Sequence, residues 1–350
     1  MPLPTAREQY SSFRRLSARK IILTLIVLTL VVAAASATLA QATPPASADL
    51  TRAIALYQAG KYSECSKLLK HVVNKTKTDQ QAWYYLGLAL IRQQQLKDAT
   101  KALETALKLQ PNSARAHVAL AYALLLRNKA DMALNESVAA ASIDPNLVDP
   151  HYVSGVAYLQ LGKRELALQE AERVLTLDPA FANGHLLKSQ ALVRFTGDVL
   201  YPEEAEQSRE RYSQAGDALA KYLQLNPNAE NKETWVAQLE SLRFFATPQP
   251  GKSDGVYTSK EVTTRARVLS KPEPAYTELA RNNGVIGRVT LRAVFAADGV
   301  LKHIIVVSGL PYGLTEAAII AARKLKFVPA MIDDRPVSMF IQLEYNFNLY

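Results

Sequence analysis

The chain changes its hydrophobic period partway along its length. Through most of residues 46–246, apolar side chains recur with the spacing of helices that bury one face. From residue 287 the period becomes two: in GRVTLRAVFAADGVLKHIIVVSG, apolar residues alternate on both sides of an Ala297-Asp298-Gly299 break. Such alternation around a turn predicts a β-hairpin. A long helical region is therefore expected to precede a small sheet.

The helical region carries a repeat. Pro111, Pro145 and Pro179 are spaced 34 apart and close the tripeptides LQP, IDP and LDP. A fixed period of this length indicates a solenoid of helix pairs. Gly87 and Ala99 are small where the two helices of a pair would cross closely, and each proline would stop a second helix. Irregular copies lie around YQAGKYSECSKLLKHV and, after an insertion, around AGDALAKYLQLNP.

The unit that ends at Pro111 resembles the tetratricopeptide (TPR) repeat through Trp83, Leu86, Gly87, Leu90, Ala99, Leu103 and Ala106. The resemblance implies an α-helical TPR solenoid over residues 46–246, with four to five units and a capping helix at ENKETWVAQLESLRFF. It also implies that a protein partner binds the concave groove lined by the first helices.

The resemblance assigns a set of apolar and tyrosine residues to this groove: Tyr84, Leu88, Tyr122, Tyr152 and Val156. We expect a helix or an extended apolar segment as the ligand. In the alternative interpretation, several of these residues pack between neighbouring helices and bind no partner.

The sequence predicts a second domain at residues 257–350, after a linker at 247–256 that is rich in Pro, Gly and polar residues. Its segments are a short helix in KPEPAYTELARNNG, the hairpin, a helix in GLTEAAIIAARKLKF and a last strand in PVSMFIQLEYNFNLY. They predict a small α+β domain, in which helices pack on a three-stranded antiparallel sheet. Through KPEPAY, the hairpin, LTEAAIIAARKLKFVPA and RPV, this domain resembles the C-terminal domain of TonB-family energy transducers.

The last strand is the candidate docking edge. Three strands with a helix on one side leave an open edge, which can accept an extended peptide as an added strand. The TonB resemblance implies that outer-membrane receptors dock in this way. The candidate residues are Val337, Ser338, Met339, Phe340, Ile341, Gln342, Leu343, Glu344 and Tyr345. The alternative is a capped or self-paired edge without a ligand.

Residues 1–42 resemble a targeting segment. A basic stretch precedes IILTLIVLTLVVAAASATLA, which is uncharged and long enough to cross a bilayer once, with the basic flank in the cytoplasm. Ala40-Gln41-Ala42 resembles a signal-peptidase site. The segment is therefore either a cleaved signal peptide or an uncleaved membrane anchor. In both cases the chain that follows it is expected to be exported to the periplasm.

Charge and candidate chemistry argue against several classes of protein. Of the net charge of +9, residues 1–20 carry +4, residues 43–246 carry +1 and residues 247–350 carry +4, so no single basic stripe suits nucleic acid. Cys65, the single cysteine, cannot form an intramolecular disulfide. Motifs of hydrolases and phosphate-binding loops are absent from the sequence. We expect neither an enzyme nor a bound cofactor.

Three histidines share one repeat position, the one that Trp83 fills in its own unit: His117, His151 and His185. Equal spacing suggests a metal site, but packed helices lie about 8–10 Å apart. Nitrogens that share one zinc ion lie only about 2 Å from it. We therefore expect flat packing side chains and no metal.

These features together favour an envelope protein-interaction adaptor that is similar to TonB, docks on outer-membrane receptors during transmembrane transport and holds a second partner on its repeats. Coupling to a proton-driven motor in the inner membrane would require an uncleaved anchor. The apolar stretch at residues 21–40 lacks the histidine that family transducers usually carry there. The alternative function is a passive TPR scaffold that assembles envelope complexes without energy transduction.

Overall fold

The computed structural model describes residues 48–193, 202–229, 231–247 and 255–349. The predicted signal or anchor segment lies outside the described residues, as does most of the predicted linker. No helix within the described ranges combines the length and the apolarity that crossing a membrane requires.

The described part of the chain before residue 248 is a series of helices joined by short turns. Their bounds are α1 Ala48–Gln58, α2 Tyr62–Lys75, α3 Gln80–Arg92, α4 Leu96–Leu109, α5 Ala114–Leu126, α6 Ala130–Ile143, α7 Val148–Gln160, α8 Arg164–Leu177, α9 Ala182–Val193, α10 Pro202–Leu225 and α11 Lys232–Ala246. Each helix packs on the next one in the chain, which gives TPR-like helix pairs. The predicted helical solenoid is confirmed.

Glycine sets the close approach of neighbouring helices. A Cβ atom on Gly87 in α3 would stand 2.4 Å from Cγ of Leu103 in α4, well inside van der Waals contact. A Cβ atom on Gly155 in α7 would stand 2.5 Å from Cδ2 of Leu187 in α9, the first helix of the next pair. These glycines therefore let a leucine of a neighbouring helix pack directly on the backbone.

The insertion in the late repeat lengthens a helix. The second helices α2, α4, α6 and α8 are each 14 residues long, whereas α10 has 24. The predicted capping helix corresponds to α11, which packs on α10. The solenoid therefore ends in a longer helix pair than the one with which it begins.

The C-terminal domain contains the predicted helices and strands. Its elements are β1 Val256–Tyr257, β2 Arg267–Ser270, α12 Glu278–Asn282, β3 Gly287–Phe295, β4 Leu301–Ser308, α13 Leu314–Arg323, β5 Lys326–Val328, β6 Ala330–Ile332 and β7 Arg335–Phe347. The expected hairpin is β3–β4, and the expected last strand is β7.

The main sheet has the order β1-β7-β3-β4, with β6 also paired to β7. Strand β3 is antiparallel to both β4 and β7, whereas β1 runs parallel to β7. A separate two-stranded sheet joins β2 to β5. The three predicted strands are present, and the structure adds four strands of two to four residues. Such short strands show no readable alternation, so their sequence did not reveal them.

The hydrophobic core continues from the solenoid into the C-terminal domain. One cluster of buried side chains includes Leu50 in α1, Leu126 in α5 and Phe347 in β7. A second cluster joins α9, α10 and α11 to Val294 and Ile305 on the sheet. The sheet is therefore covered on one face by α13 and on the other by the end of the solenoid.

Candidate partner-binding surfaces

The inner surface of the solenoid is more deeply buried than an open groove. All nine residues at 118–126 of α5 are buried. The side chains of Tyr122 and Tyr152 are 6% and 7% exposed, and Leu88 is equally buried. Tyr84 and Val156 are half-buried. Of the predicted groove residues, none is fully exposed.

Part of the cover comes from the turn between β4 and α13. Tyr312 in this turn is 5% exposed, and its hydroxyl donates a hydrogen bond to the backbone carbonyl of Leu126 at the end of α5. Pro311 lines a cavity of about 40 Å³ together with Tyr122, Tyr152 and other residues of α5 and α7. The C-terminal domain thus lies against residues that sequence reasoning assigned to the groove.

Burial keeps these phenols neutral. It raises the pKa of Tyr122, Tyr152 and Tyr312, because a charged phenolate would lose its hydration. The N-terminal ends of α5 and α7 are more polar, because they carry Arg115 and Asp149. Burial raises the pKa of the Asp149 carboxyl to about 6, although the positive charge of Arg115 acts in the opposite direction.

The β4 edge of the sheet is covered by α11. The side-chain amide of Gln238 donates to the carbonyl of Ile304 at 2.9 Å and accepts from the N–H of Val306 at 3.2 Å. The amide therefore satisfies both kinds of backbone group along this edge, as a neighbouring strand would. The Phe244 ring stacks on the His303 ring at 3.6 Å. Burial, the largest cause, lowers the pKa of His303.

The sheet face toward the solenoid includes a buried cation. Arg292 in β3 is 8% exposed, and its guanidinium donates to the Tyr212 hydroxyl of α10 at 2.5 Å. Phe340 in β7 packs against Phe245 of α11, with ring centroids 5.6 Å apart. This face, which a lone domain would expose to water, is an interface with the solenoid.

Strand β7 has a different environment on each side. β3 pairs with residues 339–347, and β1 pairs with Ser338 and Met339. Among the described residues, no strand pairs with the side of residues 340–347 that faces away from β3. On that side, the Lys271 ammonium group donates to the Glu344 carbonyl at 2.6 Å.

The hairpin shows which backbone N–H and C=O groups of β7 point away from β3. The N–H and C=O of Ala296 bond to the turn on the β4 side, so the groups of alternate β3 residues point toward β7. Leu291 is one of these and pairs with Leu343, which places the Leu343 backbone groups toward β3. The backbone groups of Gln342 and Glu344 consequently point away from the sheet.

The candidate docking residues therefore divide into three environments. Leu343 and Tyr345 are buried with Ala318 of α13, and Met339 is also buried. Val337 pairs with Ala330 of β6, and Ser338 accepts a hydrogen bond from the backbone N–H of Ala297. In the remaining stretch, Phe340 packs on Phe245 of α11 and Ile341 packs on the core, whereas Gln342 and Glu344 direct their backbone groups away from β3.

The flat side chains of the repeat position have a structural role. The indole of Trp83 donates to the carbonyl of Lys77, six residues earlier, at 2.9 Å. The rings of His117 and His185 make the same contact with Pro111 and Pro179, at 2.9 and 3.0 Å. The second nitrogen of His117, and one nitrogen of His151, bond to glutamates of the next helix. In three of these units the contact fixes the turn before the first helix, whereas His151 bonds to Glu170 of the next helix instead.

Sequence reasoning missed Gln238 and Tyr312. Gln238 is one of several polar residues in an amphipathic helix, and nothing in its local pattern distinguishes it. Tyr312 had a weak signal: it precedes Gly313 in a short Leu-Pro-Tyr-Gly stretch between a strand and a helix. Both residues contact segments distant in the chain, so only the tertiary structure reveals their role.

Family models match three parts of the chain. Residues 80–113 and 148–181 match tetratricopeptide repeat models, and residues 272–349 match the model described as the Gram-negative bacterial TonB protein C-terminal. The chain therefore contains TPR repeats and a TonB C-terminal domain, and both predicted resemblances are confirmed.

Similar solved structures are TPR proteins. MamA (residues 41 to the end) from Desulfovibrio magneticus RS-1 is 21% identical, with a TM-score of 0.43 over 51% of this chain and 93% of that one. A thermophilic TPR protein from Thermus thermophilus is 18% identical, with a TM-score of 0.43 over 56% and 97%. YrrB, described as a TPR protein with an unusual peptide-binding site, is 16% identical, with a TM-score of 0.40 over 51% and 86%. No curated protein matches the chain.

TPR repeats and TonB C-terminal domains are interaction modules rather than catalytic domains. The presence of both families in one chain indicates that this protein acts through protein–protein interaction.

Proposed function

We propose that the protein is an adaptor of the Gram-negative envelope that docks on outer-membrane receptors by strand addition. The TonB C-terminal domain supports a periplasmic location, and the apolar segment at residues 21–40 supports export. The TPR solenoid carries the domain and offers a surface for a second protein. Transport across the outer membrane is the process that such an adaptor would serve.

The observation that carries the proposal is the unpaired side of β7. Residues 340–347 are held in an extended conformation by β3, and the backbone groups of Gln342 and Glu344 point away from the sheet. Added strands bind through such groups, which fix the direction and register of an extended peptide. This side of β7 therefore offers preformed backbone donors and acceptors to a partner, although the Glu344 carbonyl already accepts from Lys271.

Side chains beside these backbone groups could contribute to the choice of peptide. Gln342 is exposed, and Glu344 bonds to the Arg288 guanidinium at 2.6 Å. An arriving peptide meets this ion pair and the Lys271 ammonium group beside it. Because both are exposed, their contribution to affinity should be modest and sensitive to salt.

The test is titration of the full chain with an extended peptide from the periplasmic N-terminal segment of an outer-membrane receptor. The proposal expects saturable binding, with altered amide resonances in β7 and unchanged ones in α1 to α4. A scrambled peptide of the same composition is the control. Absence of binding, or binding with changes confined to the solenoid, would contradict docking on β7.

A second candidate function is a passive scaffold that assembles envelope complexes without energy transduction. The packing of the sheet on α11 favours it, because the domain is held against the solenoid through Gln238, Phe340 and Arg292. N-terminal sequencing of the mature protein separates the two functions. A mature chain that begins at Thr43 has lost the segment through which a motor in the inner membrane could act.

A further inference from the structure

The last nine residues of helix α5 form no polar face. Its sequence from residue 118 to 126 is VALAYALLL, and all nine side chains are buried. A helix that is apolar all round is stable only where every side is covered. Helices α3, α4, α6 and α7 pack around α5, and its remaining inner side meets the turn of the C-terminal domain.

The turn fits the end of α5 chemically. The last four carbonyls of a helix have no partner within it, and one of them belongs to Leu126. The Tyr312 hydroxyl donates to this carbonyl, while its ring is withdrawn from water among apolar side chains. A tyrosine suits this position because it combines a large apolar surface with a single terminal donor.

The turn is held rigidly in the shape that inserts. Tyr312 and Gly313 both have left-handed backbone conformations, with φ of 61° and 80°. The carbonyl of Tyr312 accepts from the Thr277 hydroxyl at 2.6 Å, and the N–H of Leu310 donates to the Thr315 hydroxyl at 2.8 Å. A left-handed tyrosine is uncommon and persists where its surroundings determine it. The domain thus presents a preorganised ligand.

We propose that the inner surface of α5 and α7 is a binding site for a proline-tyrosine turn, and that residues 310–313 of the same chain are its resident occupant. The chain is then closed on itself through Tyr312. A second protein that uses this part of the groove must displace the turn, which couples the solenoid surface to the position of the C-terminal domain. This last consequence rests on the proposed adaptor function, whereas the site itself does not.

Cysteine crosslinking of the full chain tests the site. Gln160 and Pro311 line the same cavity, so a chain carrying Gln160→Cys and Pro311→Cys should form an intramolecular link with a short bis-maleimide. The matched control is Gln160→Cys with Asp298→Cys, an exposed turn position of the same domain that does not line the cavity. Native Cys65 is fully buried and should not react.

The expected rate is about tenfold above the control, because two thiols at one rim share an effective concentration of order mM. A rate equal to the control would overturn the proposal. The crosslinking rate is measured without a receptor peptide. The turn site can therefore be disproved while docking on β7 is confirmed, and docking can be disproved while the turn site is confirmed.

Two further variants in the crosslinking background test the tyrosine itself. Tyr312→Asn keeps a residue that tolerates the left-handed conformation but removes the ring, and should lower the crosslinking rate to near that of the control. Tyr312→Phe keeps the ring and should retain most of the rate. Circular dichroism checks that each variant is folded. If Tyr312→Asn is folded and crosslinks as fast as its parent, the turn is not seated by Tyr312 and the proposal is wrong.

Discussion

The two strands that flank β3 in the main sheet, β4 and β7, differ in what lies on their sides away from β3. On the β4 side, the amide of Gln238 satisfies the Ile304 carbonyl and the Val306 N–H, and α11 lies over the edge. On the β7 side, residues 340–347 have no strand partner among the described residues beyond β3, and a single lysine reaches one carbonyl.

The difference indicates which edge can receive a partner. Strand β4 ends in IIVVS, a β-branched run that would invite unwanted pairing if its edge were exposed. A helix with one well-placed amide prevents this. Strand β7 instead carries exposed Gln342 and charged Glu344 on its unpaired stretch, side chains that deter unspecific association while leaving the backbone accessible. Within the described residues, the solenoid therefore covers the β4 edge, whereas the side of residues 340–347 that faces away from β3 has no strand partner.

The largest expected effect comes from proline at the unpaired side. Because the Gln342 N–H points away from β3, Gln342→Pro should leave the sheet folded but remove a donor from the peptide ladder. We expect receptor-peptide binding to be lost in Gln342→Pro and nearly unchanged in Gln342→Ala, as measured by calorimetric titration. Glu344→Pro should act in the same way. Normal binding by both folded proline variants would show that the peptide docks elsewhere.

At the covered edge, removal of the amide should expose β4. Gln238→Ala leaves the Ile304 carbonyl and the Val306 N–H without their side-chain partner, a loss of about 1–3 kcal/mol for partly buried groups. Hydrogen exchange should accelerate at residues 301–308 and stay unchanged at residues 339–347. Gln214→Ala, which alters an exposed glutamine of α10, is the matched control. Equal protection in both variants would mean that Gln238 does not close the edge.

The folding stability of the C-terminal domain should also depend on pH. Burial raises the pKa of Glu316 in α13 to about 7, above its ordinary value of 4.5. Its contribution to stability is therefore fully present below about pH 4.5 and is lost as pH rises through about 7.

Glu316→Gln tests this dependence, because glutamine stays neutral at every pH. Relative to the parent chain, the variant should gain about 1–2 kcal/mol between pH 5 and pH 8, a value reduced for partial solvent screening. Urea unfolding at the two pH values measures the gain. Glu278→Gln, an exposed carboxyl of α12, is the control and should show no such gain. If the free energy of unfolding changed equally with pH in the Glu316→Gln variant and its parent, Glu316 would not be the cause of the pH dependence.

The smallest effect is expected at the lysine beside the unpaired side. Lys271 donates to the Glu344 carbonyl and lies over the Tyr345 ring, 4.7 Å from its centroid. Lys271→Met should cost at most about 0.5–1 kcal/mol of stability, the scale of an exposed cation–π contact. By freeing the carbonyl, it should tighten peptide binding slightly. Weaker binding by the variant would instead show that the lysine contacts the peptide.

Much of the fold was determined by the sequence itself. The 34-residue period, the glycine at position 87 and the prolines after each unit define helix pairs, because these signals act between neighbours in the chain. The hairpin and β7 are readable for the same reason: alternation over eight or more residues specifies a strand. Locality explains why both modules were predictable.

The positions of the modules and the state of their surfaces were decided only by the tertiary structure. Tyr122 looks like a groove residue in its repeat, yet its burial depends on how the chain folds back on the solenoid, nearly two hundred residues later. Likewise, nothing local to β4 or α11 shows that Gln238 meets Ile304. Such contacts join segments far apart in sequence, and their free energy depends on geometry that no periodic pattern encodes.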